Sequence, residues 1–519
     1  MWYARFLSIG RLLLLVGMWA VVMLVLAGCQ KHEPNSNRWV TVEAFRGFSE
    51  PGQTINSYHI RNYIDSLIKA DKEATAADIR TRSYYLNDGK FLWIDRKGVD
   101  HRADTLLFWL KGIDKMGFSM RRFCVENIED DLLALRSLRL DTTRQGNVNA
   151  VLARLEYRLT KAYFRYAAGQ RFGFTNPTYL LNRLDTIEPS RYDSVVRPVR
   201  YRGLFDVPMD HLSKDFFNAA IRKVEVDSLS SFLSEVQPRS NFYDALQKRL
   251  AEGRIDKTMR AKILCNMERC RWRTKERIQD KGKYVIVNIP SMHLMAIDHH
   301  DTLTMRIGCG SLKTKTPLLV SRIKRMDVNP QWVIPRSIID KDVAHHVGDR
   351  HYFDSRRYYV VDRRTGKEVD FPEVTFSMLR SHNYSVVQRG GKGNSLGRLV
   401  FRFDNNFSVF LHDTSSRGVF SREDRSVSHG CVRVEKPFEL GVFLMHEKNQ
   451  QLIDKLQYSM TADSLANRKM IVRSIKVEPQ VPLFITYYTL FPMAGGRMVE
   501  YADIYGYDKV IYDSLKPYL

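Results

Sequence analysis

Ser428-His-Gly-Cys-Val-Arg433 is the stretch on which the reading of this chain turns, together with His412-Asp-Thr-Ser-Ser-Arg417 just upstream. Cys431 follows Gly430, so the backbone there can approach a ligand closely. If residues 429 to 433 are extended, side chains His429, Cys431 and Arg433 share one face, a row of imidazole, thiol and guanidinium. His412 ends an apolar run, Ser408-Val-Phe-Leu411, that reads as a strand and offers its ring from a rigid position. Acyl transfer by cysteine needs this set. A free thiol has a pKa near about 8.5. A neighbouring imidazole takes its proton, forming an ion pair, and later returns the proton to a leaving amine. Backbone N–H groups around Gly430 and Cys431 are placed for a tetrahedral oxyanion. Arg433 suits paired hydrogen bonds to a carboxylate.

Outward from this segment, the chain from 283 to about 435 reads as strands and loops. Tyr284-Val-Ile-Val-Asn-Ile289 is β-branched and bounded by Gly282 and Pro290. Leu294 to Asp298 and Leu303 to Ile307 flank a turn, and Leu399 to Phe403 pairs with 408–411 around Asp404-Asn405-Asn406, a hairpin signal. Between them 338–398 reads as a loop-rich lid carrying many His, Arg and Tyr residues. Phe438 to Met445 and Asn449 to Tyr458 read as helices, and Val481 to Tyr488 as a returning strand. Before the strands, Ile60-Tyr63-Ile64-Leu67-Ile68 and Leu155-Leu159-Tyr163-Tyr166 have helical spacing. The expected fold class is α+β: a mostly α-helical scaffold over 51–275, then a mainly β catalytic domain over 281–495, then a packed C-terminal segment over 496–519. The helical half is expected to have no chemistry of its own.

The N-terminus addresses compartment. Arg5 and Arg11 flank a charged start, and an apolar run from Leu12 to Leu26 ends in Leu26-Ala27-Gly28-Cys29. The run is short for a permanent span and reads as an export signal over 1–28. Small residues before a cysteine resemble a lipobox, which implies that Cys29 is lipidated and that 29–50 is a tether. Gln30 favours the outer membrane over the inner one by analogy with lipoprotein sorting, on the periplasmic face. The net charge of +23 favours an anionic partner. No zinc-finger spacing, RNA-binding aromatic signature or long basic block points to nucleic acid. Cys124, Cys265, Cys270 and Cys309 are expected as buried free thiols.

The His412 and Ser428–Arg433 segments resemble the signature of L,D-transpeptidases with the YkuD-type catalytic domain. The resemblance implies Cys431 as nucleophile, His412 as general base, His429 and Gly430 as residues shaping the site, and Arg433 and Ser428 on substrate. Asp413 stands where small members have glycine, as in the larger multidomain periplasmic members. The lead-in Asn266-Met-Glu-Arg-Cys-Arg-Trp272 and Val481-Pro-Leu-Phe-Ile-Thr-Tyr487 are similar to segments of those members. So are Val328-Asn-Pro-Gln-Trp332 and Gly393-Asn-Ser-Leu-Gly-Arg398, which place Trp332 and Asn394 in the substrate groove. The family implies peptidoglycan stem peptides as donor and acceptor, 3→3 cross-links through a Cys431 thioester, and acylation by carbapenems. No cofactor is implied. The peptidoglycan-binding helical module usual in large members has too little room before Asn266. Cys309 stands in a loop expected to border the groove.

Rival readings are weaker. His412, His429 and Cys431 are zinc-ligand types, but no fourth ligand is evident and zinc would quench the nucleophile. A papain-like protease carries its cysteine early and its histidine far downstream, the reverse of the order here. A non-catalytic wall-binding lipoprotein would not need the intact Cys/His/Arg set.

Overall fold

The computed structural model describes residues 55–519 apart from 96–97, 138, 141–145, 188–197, 254, 277, 279–281, 300, 447–448, 462–466 and 493–496. The expected export signal, Cys29 and the tether lie outside the described residues. None of the described helices is long and apolar enough to cross a membrane. The chain divides into two compact units. Unit 1 runs to Arg171 and adds Leu212–Pro238 and Tyr518–Leu519, and unit 2 holds Phe172–His211 and Arg239–Pro517. Unit 2 therefore takes in part of the helical stretch read as scaffold.

Unit 1 is helical. Ser57–Ala70 begins where Asn56 accepts from the N–H groups of Tyr58 and His59, and it buries Ile60, Ile64 and Ile68 at a four-residue repeat. Thr75 and Asp78 form a capping box on Ala76–Leu86. The helix Val148–Phe172 is buried on nearly every face and forms the core of the unit. Charged groups along it are paired with neighbouring elements. Arg165 Nε donates to Asp78 at 2.6 Å. Glu156 accepts from the N–H groups of Leu92 (2.6 Å) and Trp93 (3.0 Å) and from the Tyr85 hydroxyl (2.7 Å). Burial pushes the Glu156 carboxyl up to about 7.

Unit 2 is built on a large sheet. The strands used below are β1 (Thr186–Ile187), β2 (Arg200–Tyr201), β3 (Phe205–Asp206), β4 (Lys283–Asn288), β5 (His293–Asp298), β6 (Asp301–Gly310) and β7 (Leu318–Val328). Then come β8 (Trp332–Val333), β9 (Tyr358–Asp362), β10 (Glu368–Val369), β11 (Tyr384–Gln388), β12 (Leu399–Phe403), β13 (Leu411–His412), β14 (Ser426–Ser428), β15 (Val432–Val434) and β16 (Ser474–Thr486). The order is β12-β13-β15-β6-β5-β4-β16-β7-β3, and β12 also pairs with β7, so the sheet closes on itself and hides its edges. The region expected as strands over 408–411 is shorter: Ser408 has φ +54 in a turn, and only Leu411–His412 joins the sheet. The lead-in helix Lys257–Arg271 belongs to this unit and binds its C-terminal end, with Arg269 paired to Asp508 at 2.6 Å. Tyr505 donates from its hydroxyl to the carbonyl of Gly310 at 2.7 Å and accepts from the N–H of Thr316 at 3.1 Å.

The insertion corrects the expectation of a loop-rich lid. It holds a four-stranded antiparallel sheet, β8-β11-β9-β10, and helices Arg336–Lys341, Arg350–Arg356 and Phe376–Arg380. Ile339, Val343, Phe353, Val360 and Val386 form its own apolar core. Its elements are too short for periodicity to show.

Glu156 gives a stability prediction. Its raised carboxyl keeps its proton in the folded state, so its contribution is complete below the ordinary value of 4.5 and is lost as pH rises through about 7. Denaturant should unfold unit 1 more readily at about pH 8 than at about pH 5, and Glu156→Gln should flatten that difference. An unchanged slope in the variant would assign the effect to other groups.

Candidate active site

The strand pairing places the chemistry. β13 and β15 run parallel, with Leu411 opposite Val432 and His412 opposite Arg433. On the other side of β13, His412 lies opposite Val400 of β12. Alternation along β12 then puts Arg402 on the His412 face. Arg402 donates from Nε to Asp327 at 2.8 Å, and its guanidinium lies 4.4 Å from the Phe410 ring centroid. Arg402 and Arg433 both act electrostatically on His412 and on Cys431.

His412 is buried. Its Nδ1 donates to the carbonyl of Asp413 at 2.5 Å, and the Leu396 backbone makes a second hydrogen bond with the ring. Burial, with help from Arg433, lowers its pKa to about 4. Burial also raises the Cys431 thiol, against the opposing pull of the Phe410 backbone, Arg433 and Arg402. Both shifts favour neutral forms. Neither shift by itself favours the charged forms of an ion pair.

The row of 429, 431 and 433 on one strand face is not formed. Gly430 has φ +118, a left-handed value that breaks the extension. β15 starts only at Val432, and His429 turns out to solvent. Ser428 is buried, and its hydroxyl accepts from the Gly430 N–H at 3.1 Å and donates to the Cys431 carbonyl at 2.6 Å. It shapes the nucleophile turn. The Gly430 N–H is thereby used, and the Cys431 N–H is the donor left for an oxyanion. The Ser428 carbonyl accepts in turn from the Ser311 N–H (3.0 Å) and the Thr314 hydroxyl (2.8 Å), which ties the turn to the 311–316 loop.

Other expected substrate residues also hold structure. Asn394 is buried, donating to the Arg389 carbonyl at 3.0 Å and accepting from the Leu396 N–H at 2.8 Å. Trp332 is half-buried against the core of the insertion. Cys309 is buried on β6, and burial lifts its thiol to about 11. Cys265 is buried too, whereas Cys124 and Cys270 are partly exposed, and all four are free thiols. Among the described residues, no group of His, Cys, Asp and Glu is arranged to hold a metal ion.

Residues without a role in the sequence reading complete the site. Asp413 is buried, and its carboxylate accepts from the Arg398 N–H at 2.8 Å. Arg417 donates to Asp413 at 3.3 Å and to the Glu435 carbonyl at 2.5 Å. Its guanidinium thus joins the segments just after β13 and β15. Arg402 had one signal in sequence: a charged residue inside the apolar strand 399–403.

Unit 2 thus presents a closed sheet with a cysteine turn next to the strand that carries a buried histidine. Residues 282–447 match the family described as the L,D-transpeptidase catalytic domain, YkuD, and residues 79–250 match the family described as a Scaffold domain. A Haemophilus influenzae protein named "Putative L,D-transpeptidase" is 30% identical over 250 residues, 47% of this chain and 49% of that protein. The chain thus spans about half the length of this curated relative. An L,D-transpeptidase from Mycobacterium smegmatis and L,D-transpeptidase 1 of Mycobacterium tuberculosis each share 12% identity over 40% of this chain, covering 58% and 61% of theirs. Their TM-scores, 0.18 and 0.16, are too low to bear on the fold.

The geometry sets two tests. Because His412 is protonated only as pH falls through about 4, the acid limb of Cys431 acylation should lie near that value and not near 6.5. A pH–rate profile measures it. Ser428→Ala strands the Gly430 N–H and the Cys431 carbonyl, and should slow acylation about 10- to 100-fold while the chain stays folded.

Proposed function

We propose that the chain is an L,D-transpeptidase of peptidoglycan that works through a Cys431 thioester. The observation that carries the reading is the parallel pairing of β13 with β15, which sets His412 beside Arg433 and close to the nucleophile turn. Cys431 attacks the carbonyl of the third residue of a tetrapeptide stem as His412 takes the thiol proton. The Cys431 N–H stabilises the oxyanion. The intermediate collapses, the C–N bond to the terminal D-Ala breaks, and His412 returns the proton to the leaving amine. The amine of a second stem then attacks the thioester, gives its proton to His412 and closes a 3→3 cross-link, and the thiol is restored. Arg402 and Arg433 supply positive charge for the carboxylates of the stems. Water as acceptor gives trimming, and a protein amine gives attachment to the wall.

Anchoring through a lipidated Cys29, at the periplasmic face of the outer membrane, belongs to the same proposal. So do the domain limits of 51–275 for the scaffold and 281–495 for the catalytic domain.

Incubation with a carbapenem should add the mass of the drug to the wild type and not to Cys431→Ala. An adduct on the alanine variant would remove Cys431 as nucleophile. His412→Ala should abolish the adduct, and His429→Ala should weaken it less. Muropeptide analysis after incubation with purified sacculi separates cross-linking, trimming and protein attachment.

A further inference from the structure

In unit 1 the helices His101–Lys111 and Val125–Arg136 pack side by side. Asp104 pairs with Arg136 at 2.7 Å and Lys111 with Glu129 at 2.5 Å, so the two run antiparallel in a fixed register. Asp104, Phe108 and Lys111 stand at i, i+4 and i+7 of the first helix. Glu129, Leu133 and Arg136 stand at i, i+4 and i+7 of the second. Each set therefore lies on one face. The two ion pairs bracket Phe108 and Leu133 and set them within one residue of level. Phe108 is 75% exposed, the highest value for a large apolar side chain among the described residues, and Leu133 is 55% exposed. Neither is spare core. The first helix already buries Leu106, Leu107 and Leu110, and the second buries Ile128, Leu132 and Leu135.

Exposed ion pairs add little to the stability of a single chain. These two instead make a pattern. Along the first helix the charge runs from negative at Asp104 to positive at Lys111, and beside it on the second from positive at Arg136 to negative at Glu129. Seen from outside, the four charges alternate around the apolar centre. Such a face is complementary to itself. A two-fold axis in its plane, parallel or perpendicular to the helices, brings every carboxylate onto a cation of the other copy and one apolar centre onto the other. The exposed neighbours extend the pattern: Lys115 beyond Lys111, Arg139 beyond Arg136, and Glu126 and Asp130 around Glu129. Of the other charges at this edge, His101 Nε2 lies 3.1 Å from Asp227, and Asp114 accepts from the Lys115 N–H at 2.7 Å.

We propose that this face of the helical unit docks a second copy of the chain as a symmetric dimer. The contact is independent of the chemistry at Cys431. Helices of 11 and 12 residues are about 17 Å long, small for a permanent interface, so the dimer is reversible.

Sedimentation equilibrium of the full chain in density-matched detergent should shift from the mass of one chain toward that of two as concentration rises through the micromolar range. Phe108→Ser/Leu133→Ser should weaken that association about tenfold, with circular dichroism and thermal unfolding unchanged. The exchange Asp104→Arg/Arg136→Asp/Lys111→Glu/Glu129→Lys keeps both ion pairs within a copy and inverts the pattern. It should associate with itself as the wild type does, yet form no mixed dimer with tagged wild type, since like charges then meet at all four corners. A purely structural role for the ion pairs gives no such selectivity. A wild type that stays at the mass of one chain, a serine variant that associates undiminished, or an exchange variant that mixes freely with wild type or fails to pair with itself would each overturn the proposal. So would a one-chain wild type that binds phosphatidylglycerol vesicles and loses that binding in the serine variant, which makes the face a membrane contact.

Discussion

The parallel pairing of Leu411–His412 with Val432–Val434 is the constraint on which the site depends. Parallel neighbours cannot be joined by a tight turn and need a long crossover. Residues 413–431 make that crossover, and they carry Arg417, β14 and the nucleophile turn. A slip of one residue between these strands would turn His412 or Arg433 to the opposite face. Arg417 opposes such a slip because it grips the chain beyond both strand ends, at Asp413 and at the Glu435 carbonyl. Glu435 is itself held by the Arg306 guanidinium from β6. Three adjacent strands are thus locked in register where the chemistry sits.

Burial sets the resting state of this site. The buried imidazole and the half-buried thiol both lose more by being charged than neutral, and two arginines offset only part of that cost for the thiolate. A neutral thiol is slow to react with stray electrophiles and oxidants, since the thiolate is the reactive form.

The parts of this picture carried by contiguous residues were legible in the sequence. The Ser428–Arg433 and His412 segments, the strands from Tyr284 onward and the long helix through Leu155 and Tyr166 are local patterns of spacing and residue type. The rest depends on what lies across a strand or beneath a loop. Ser428 and Asn394 are polar and sit near the motifs, so sequence cannot tell a hydroxyl or amide facing a substrate from one spent on its own backbone. Arg402 reaches the site from a neighbouring strand, and no spacing within 399–403 shows that neighbour. The insertion hides its sheet because strands of two to five residues have no period to read. The direction of the His412 and Cys431 shifts is a matter of burial, which a motif does not encode.

Tyr505 supports the nucleophile from a distance. Its hydroxyl holds the Gly310 carbonyl and receives the Thr316 N–H, and between those two contacts lies the loop on which the Ser428 turn rests. The loop is thus clamped at both ends by one phenol oxygen, which acts as donor at one end and acceptor at the other. Loosening that clamp would slacken the ground under the nucleophile without touching the nucleophile itself.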